Sequence, residues 1–440
     1  MSQAGKPRQI QIAFPEADLD RLQAKLDDAR LPAKPIVEGI KDPKEYGTDL
    51  TDLERFLSHW RSGNPEDSQQ RPLGEKGRGV KAWWRSVEAQ LNKYPHYQVE
   101  IEGVTVHYQH FKPKEAPPMP PIPLIFSHGW PGAFTEASHF AARLVENRSP
   151  AFEVVVPSLP GYGLSSQPPR EGWQLTDTAR VFNTLMTSVL GYSAYMAQGG
   201  DWGTVVSRCL SVYPACKIYH TNFAPPTSMP TWVYPLMAVE RLSGFQLTRH
   251  LGLLGYTDAE CSALLRSQDY ITKGNAYLII QNSRPATLGY ALYDEPVGIL
   301  AWFLEKFKDW SDPRCPAFAE RGKGNRESEM TEESVLIDVM IYYLTGSIHT
   351  SFLPYKESAK LWYKEGLKLL GPVKDKPSGH SAFPHEILGG PRSWFPRSSF
   401  NLVHFRQHEY GGHFAALDHP QALVEDVVDF ANEHWPRPQH

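Results

Sequence analysis

The residue best placed for chemistry lies in Gly199-Gly200-Asp201-Trp202-Gly203. An apolar run, Tyr195 to Ala197, leads in, and a helix-like run, Thr204 to Leu210, leads out. Strand, sharp turn and helix in that order form the setting of a nucleophile elbow, where small neighbours let one side chain project from a strained turn. Such elbows usually carry serine; this one carries Asp201. A carboxylate is already ionised at neutral pH and attacks without a base. Its attack leaves an ester on the protein, so a second step must bring activated water. The plainer alternative is an aspartate that only caps a buried helix.

Water activation needs a base and a group to orient it. His413, in Gly411-Gly412-His413-Phe414-Ala415-Ala416, follows a late strand and is the candidate base. His404 falls inside that strand, and His408 lacks flanking glycines. Glu386, in Phe383-Pro384-His385-Glu386, stands where the orienting acid belongs in the order nucleophile, acid, histidine. Asp375 comes earlier among charged loop residues, and Asp418 follows the histidine and breaks the order. His128-Gly129-Trp130-Pro131 ends an early strand and has the position of an oxyanion loop. The backbone N–H groups of Trp130 and Trp202 would then stabilise charge on the ester oxygen. His128 reads as a brace for the loop; with Trp130 and Trp202 it also borders the expected substrate side.

These residues need a frame. Tyr97 to His110 alternates around Gly103 and predicts a hairpin. Leu124 to Phe126, Glu153 to Val156 and Tyr195 to Ala197 are strands, each followed by a loop and a helical stretch, and Ile218 to Phe223 adds another strand. That alternation predicts α/β architecture with a mostly parallel sheet flanked by helices. Ligands of such sheets bind beyond the carboxyl ends of the strands, where His128 to Trp130 and Asp201 fall. Four parts follow: a helical wrapping segment at 1–95, a first core part at 96–223, a helical, aromatic-rich cap at 224–370, and a second core part at 371–440. The cap is read from helical runs at Trp232 to Gly255, Thr257 to Gln268, Asn275 to Asn282, Gly298 to Trp310 and Thr331 to Leu344.

Composition narrows the classes. The chain has 440 residues, 41% hydrophobic, with a net charge of −4. A mean hydropathy of −0.43 fits a soluble globular protein. Without a basic excess, neither nucleic acid nor an anionic membrane is an expected partner. The four cysteines are scattered, with no CxxC pair, which disfavours structural zinc or a disulfide framework. No signal peptide, membrane anchor or lipidation motif is evident, so the expected location is the cytoplasm.

Taken together, these motifs resemble the epoxide hydrolases of the α/β-hydrolase fold, in particular the microsomal-type branch with its N-terminal segment. The resemblance covers nearly the whole chain. It implies conversion of a small-molecule epoxide and water to a vicinal diol through an aspartyl ester, without metal or organic cofactor, and leaves room for a homodimer. It also implies two cap tyrosines that hydrogen-bond the epoxide oxygen, carried over as Tyr277 and Tyr355, with Tyr342 and Tyr343 as rivals for the second. Glu386 in place of aspartate is a variation known in the family. Lacking a membrane anchor, the chain looks more like the soluble fungal members. The nearest rival activity is haloalkane dehalogenation, with the Trp130 and Trp202 side chains as halide donors; a non-catalytic receptor for a small apolar ligand is a rival of another class. A GxSxG esterase is excluded because position 201 is not serine.

Overall fold

The computed structural model describes residues 4–63, 77–146, 149–223, 255–320, 322–358, 375–398 and 401–436, with the isolated positions 235 and 373. Among them, nine strands form one sheet: β1 (Arg8–Ile10), β2 (His96–Ile101), β3 (Val104–Phe111), β4 (Ile122–Ser127), β5 (Phe152–Pro157), β6 (Tyr195–Gly199), β7 (Cys216–Thr221), β8 (Pro377–Ala382) and β9 (Asn401–Gln407). Their spatial order is β1-β2-β3-β5-β4-β6-β7-β8-β9. The first three pair antiparallel and β3 meets β5 antiparallel; from β5 to β9 every pairing is parallel. The expected hairpin is β2–β3. It turns through Glu102 at φ 54° and Gly103 at φ 81°, the two positive values that a type I′ turn requires.

The central parallel strands β4, β5 and β6 are largely apolar, as expected where helices cover both faces. Leu124, Ile125, Val154, Val155, Val156, Met196 and Ala197 are fully buried. Leu124 pairs with Val154 on one side and Met196 on the other, so β4 and β6 run side by side and end together. Their carboxyl ends carry the His128 loop and the Asp201 turn. Strand β8, weak in the sequence, is held between β7 and β9 and completes that edge.

Helices Asp258–Asp269, Ala276–Ser283, Pro285–Leu292, Pro296–Trp310 and Glu332–Thr345 occupy the region expected to form the cap. The helical run expected at Trp232 to Gly255 lies outside the described residues, apart from positions 235 and 255, and so does 359–372. The N-terminal segment, expected to be helical, also supplies a strand. Arg8–Ile10 adds an edge strand, and helix Leu50–Ser62 turns Leu53, Phe56, Leu57 and Trp60 inward. The segment is also tied to the cap region by polar contacts. Thr48 Oγ1 donates to Ala301 O at 2.6 Å, Trp83 Nε1 to Glu333 Oε1 at 2.9 Å, and Lys25 pairs with Asp294 at 3.1 Å. Buried Glu332 takes His59 at 2.7 Å and also Arg55. Among the described residues no helix is long and apolar enough to cross a membrane.

Candidate active site

Asp201 stands between β6 and helix Trp202–Leu210, all nine residues of which are buried. Its backbone sits at φ 49°, ψ −126°, and Glu102 is the other non-glycine with positive φ among the described residues. A side chain held there pays strain, which the surrounding structure must impose. Glycines make that possible. A Cβ on Gly203 would collide with the Ser127 carbonyl, and one on Gly129 would collide with Asp201 itself. The elbow and the His128 loop therefore meet almost backbone to backbone. The result is a 2.9 Å hydrogen bond from the Trp130 N–H to Asp201 Oδ1.

His413 lies on the other side of the carboxylate, with Nε2 3.4 Å from Asp201 Oδ2. Its Nδ1 is 2.6 Å from Glu386 Oε1, which also accepts the Ile387 N–H. The loop is fixed by the His413 N–H donating to Trp310 O at 2.8 Å and by Asn222 Nδ2 donating to His413 O at 3.3 Å. Trp310 and Phe223 set their edges against the imidazole at 5.1 and 5.3 Å. Burial alone would push this imidazole down. The charges of Glu386 and Asp201, with the hydrogen bond to Glu386, outweigh burial and raise it to about 10. The resting side chain is an imidazolium between two carboxylates.

The structure brings Tyr277 and Tyr355, the tyrosines that the resemblance implies, to the same place. Trp130 stacks on Tyr277 at 5.2 Å and meets Tyr355 edge-on at 5.8 Å, and Trp202 meets Tyr355 at 4.8 Å. Burial pushes both phenols well above their ordinary value, so they remain neutral donors. The Tyr277 hydroxyl bonds that of Tyr270 at 2.9 Å. The Tyr355 hydroxyl is buried with no hydrogen-bond partner among the described residues. The rival tyrosines are committed elsewhere: Tyr342 donates to Gly132 O at 2.7 Å, and Tyr343 to Asp294 at 3.3 Å.

His128 is spent as a brace. Its Nδ1 faces Gly129 O at 3.0 Å and its Nε2 accepts the Leu159 N–H at 3.2 Å. Burial lowers its pKa to about 4, which keeps it neutral in that arrangement. Trp202 contributes its ring to the Tyr355 wall.

A small cavity borders Asp201, His413, Trp130, Gly200, Asn222 and Glu136. Glu136 was not anticipated. It is a buried carboxyl beneath the His128 loop, with Oε1 lacking a partner among the described residues. Burial first, then the proximity of Asp338 and Asp201, holds it well above the carboxylate range, and burial raises Asp338 as well. No advance signal marked it, because Phe134 to Leu144 also carries Thr135, Ser138, His139 and Arg143. Asn222 and Trp310, which set the histidine loop, gave none.

A family model described as the epoxide hydrolase N terminus matches residues 7–137, and one described as the alpha/beta hydrolase fold matches residues 122–215. Epoxide hydrolase 1 of Oryctolagus cuniculus is 32% identical, covering 96% of this chain and 88% of the relative. Juvenile hormone epoxide hydrolase 2 of Ctenocephalides felis is 31% identical over 96% of this chain and 84% of its own. The structure of Aspergillus niger epoxide hydrolase superposes with a TM-score of 0.75 at 30% identity, over 98% of this chain and 97% of that one.

Proposed function

The chain belongs to the epoxide hydrolases of the α/β-hydrolase fold, and from that premise we propose that it opens epoxides through an ester on Asp201, hydrolysed by water that His413 activates. The observation that carries this is one imidazole spanning two carboxylates, Asp201 at 3.4 Å and Glu386 at 2.6 Å.

Oδ1 of Asp201 is held by the Trp130 N–H, which leaves Oδ2 to attack a ring carbon of the epoxide. A C–O bond of the ring breaks as the ester bond forms, and negative charge moves to the former ring oxygen. Tyr277 and Tyr355 donate hydrogen bonds to that oxygen as it becomes an alkoxide. Esterification removes the Asp201 charge, one of the two that hold the His413 proton. The imidazolium therefore becomes a base after the first step. Proton balance closes: the alkoxide ends with the proton that the His413 imidazolium gives up once the Asp201 charge is gone. Neutral His413, oriented by Glu386, then takes a proton from water, and the hydroxide adds to the ester carbonyl carbon. The oxyanion forms on Oδ1, against the Trp130 N–H, with the Trp202 N–H as its second donor. Collapse breaks the bond between the carboxyl carbon and Oδ2; the leaving alkoxide takes the proton of the new carboxyl group, which releases the vicinal diol and restores the Asp201 carboxylate beside the His413 imidazolium.

Under single-turnover conditions in heavy-oxygen water, the first diol formed carries no label, because its new oxygen comes from Asp201. Label in that first product would mean direct attack by water and end the proposal. Cytoplasmic residence and a homodimer belong to the same reading; cell fractionation and light scattering check them.

A further inference from the structure

Lys306 is an anomaly in the wall of the site. It is 2% exposed, and its ammonium lies 5.1 Å from the centre of the Tyr277 ring and 4.8 Å from that of Trp302. Its ion partner is the neighbouring Glu305, at 2.6 Å, itself about one-third exposed. Helix Pro296–Trp310 places Phe303 against Trp130, Lys306 over Tyr277, and Trp310 against both Tyr277 and His413. The helix thus presents the site with two aromatics and a cation between them. Taking an ammonium out of water costs several kcal/mol, and an apolar side chain of similar length would fill the position without that cost. Packing alone does not account for a lysine here.

We infer that Lys306 is a positioning residue for ring opening, whose positive charge on the face of Tyr277 makes that phenol a stronger hydrogen-bond donor to the epoxide oxygen. The inference rests on the reading of Tyr277 as such a donor. The physical basis is that a cation over an aromatic face draws on the ring's electron density. As the alkoxide forms, the Tyr277 O–H bond polarises and charge accumulates on the phenol oxygen. The ammonium stabilises that charge, while the carboxylate of Asp201 and the low-dielectric surroundings oppose it. The effect is confined to the first step, because ester hydrolysis no longer involves the epoxide oxygen.

The test resolves the two steps by stopped-flow tryptophan fluorescence and rapid quench with styrene oxide. Lys306→Met should slow ester formation about tenfold, leave ester hydrolysis within about twofold, and match or exceed the parent in thermal stability. Lys306→Arg, which keeps the charge, should restore most of the rate. Lys306→Gln gives the same neutral test if the methionine variant does not fold. In a Tyr277→Phe background, Lys306→Met should add nothing. Equal slowing of both steps, the same loss with and without the Tyr277 hydroxyl, or unchanged ester formation would overturn the proposal. Should Tyr277→Phe by itself leave ester formation untouched, the donor role of Tyr277 fails first, and this proposal with it.

Discussion

The two walls of the site are built by different forces. The sheet wall is charge and hydrogen bonds: the Trp130 N–H, Asp201, His413 and Glu386 form a chain of successive contacts of 2.6–3.4 Å, on turns that follow β4, β6, β8 and β9. The cap wall is rings on rings: Tyr277 and Tyr355 meet each other, Trp130 and Trp202 at centroid distances of 4.8–5.8 Å. Hydrogen bonds fix atoms in direction, whereas ring contacts fix shape and exclude water. The sheet wall is therefore suited to forming and breaking covalent bonds. The other wall is suited to shaping an apolar, water-poor space beside the carboxylate. If this division is real, damage to the sheet wall should abolish a step, and damage to the cap wall should grade a rate.

Asp201→Ala should have the largest effect. With no nucleophile there is no ester, and diol formation measured by product chromatography should fall by at least roughly 10⁴-fold. Activity surviving that substitution would move the chemistry away from the elbow. His413→Gln should come next, lowering turnover by roughly 10²–10⁴-fold. Ester formation should survive, so intact-protein mass spectrometry should find the chain carrying one substrate equivalent. Loss of ester formation as well would mean that the imidazolium is needed in the first step, and the sheet wall would not divide so cleanly.

The cap wall should respond by degree. Tyr277→Phe and Tyr355→Phe each remove one hydrogen bond to developing charge, about 1.5–3 kcal/mol or roughly 10–100-fold in ester formation. The double variant should lose more than either single one. The two should differ in stability. Removing the Tyr277 hydroxyl breaks its bond to Tyr270, whereas the Tyr355 hydroxyl has no partner to lose among the described residues. A higher melting temperature for Tyr355→Phe than for Tyr277→Phe is the outcome that separates a packed phenol from one held open for substrate.

The same division governs what the sequence reveals. Asp201, Glu386 and His413 are legible because strand, turn and helix succeed one another with glycines where chain meets chain, and the order of strands fixes which turns share an edge. Element limits shifted by only a few residues, as at β4, expected at Leu124 to Phe126 and found at Ile122–Ser127. Tyr277 and Tyr355 carry no such local mark; they entered through family resemblance, and only the fold shows that Tyr342 and Tyr343 are engaged elsewhere. Lys306 was invisible, since Glu305-Lys306 within a helix reads as a solvated pair until tertiary packing buries it. Strand Arg8–Ile10 escaped for a related reason. Three mostly polar residues become a strand only because β2 offers them an edge.

The smallest effect belongs to charges that share the sheet wall without taking part in bond making, and it has a definite sign. His413 has a folded value of about 10, above its ordinary 6.5. Its contribution to stability is full below the unfolded value and disappears as pH rises through the folded one. Glu136 and Asp338 are also raised, by burial, so they too stabilise at low pH and weaken the fold as pH rises beyond the ordinary carboxylate range. All three act in one direction, and melting temperature should decline on the alkaline side. Glu136→Gln replaces a protonated carboxyl by a neutral amide of similar shape. By removing the cost of protonating that carboxyl on folding, it should raise stability at neutral pH and flatten the decline above the ordinary carboxylate range in a melting-temperature series. An unchanged slope would mean that Glu136 is ionised in the native state, with its charge balanced by the His413 imidazolium. The sheet wall would then hold three carboxylates around one cation, and its ability to release that proton on esterification would be correspondingly weaker.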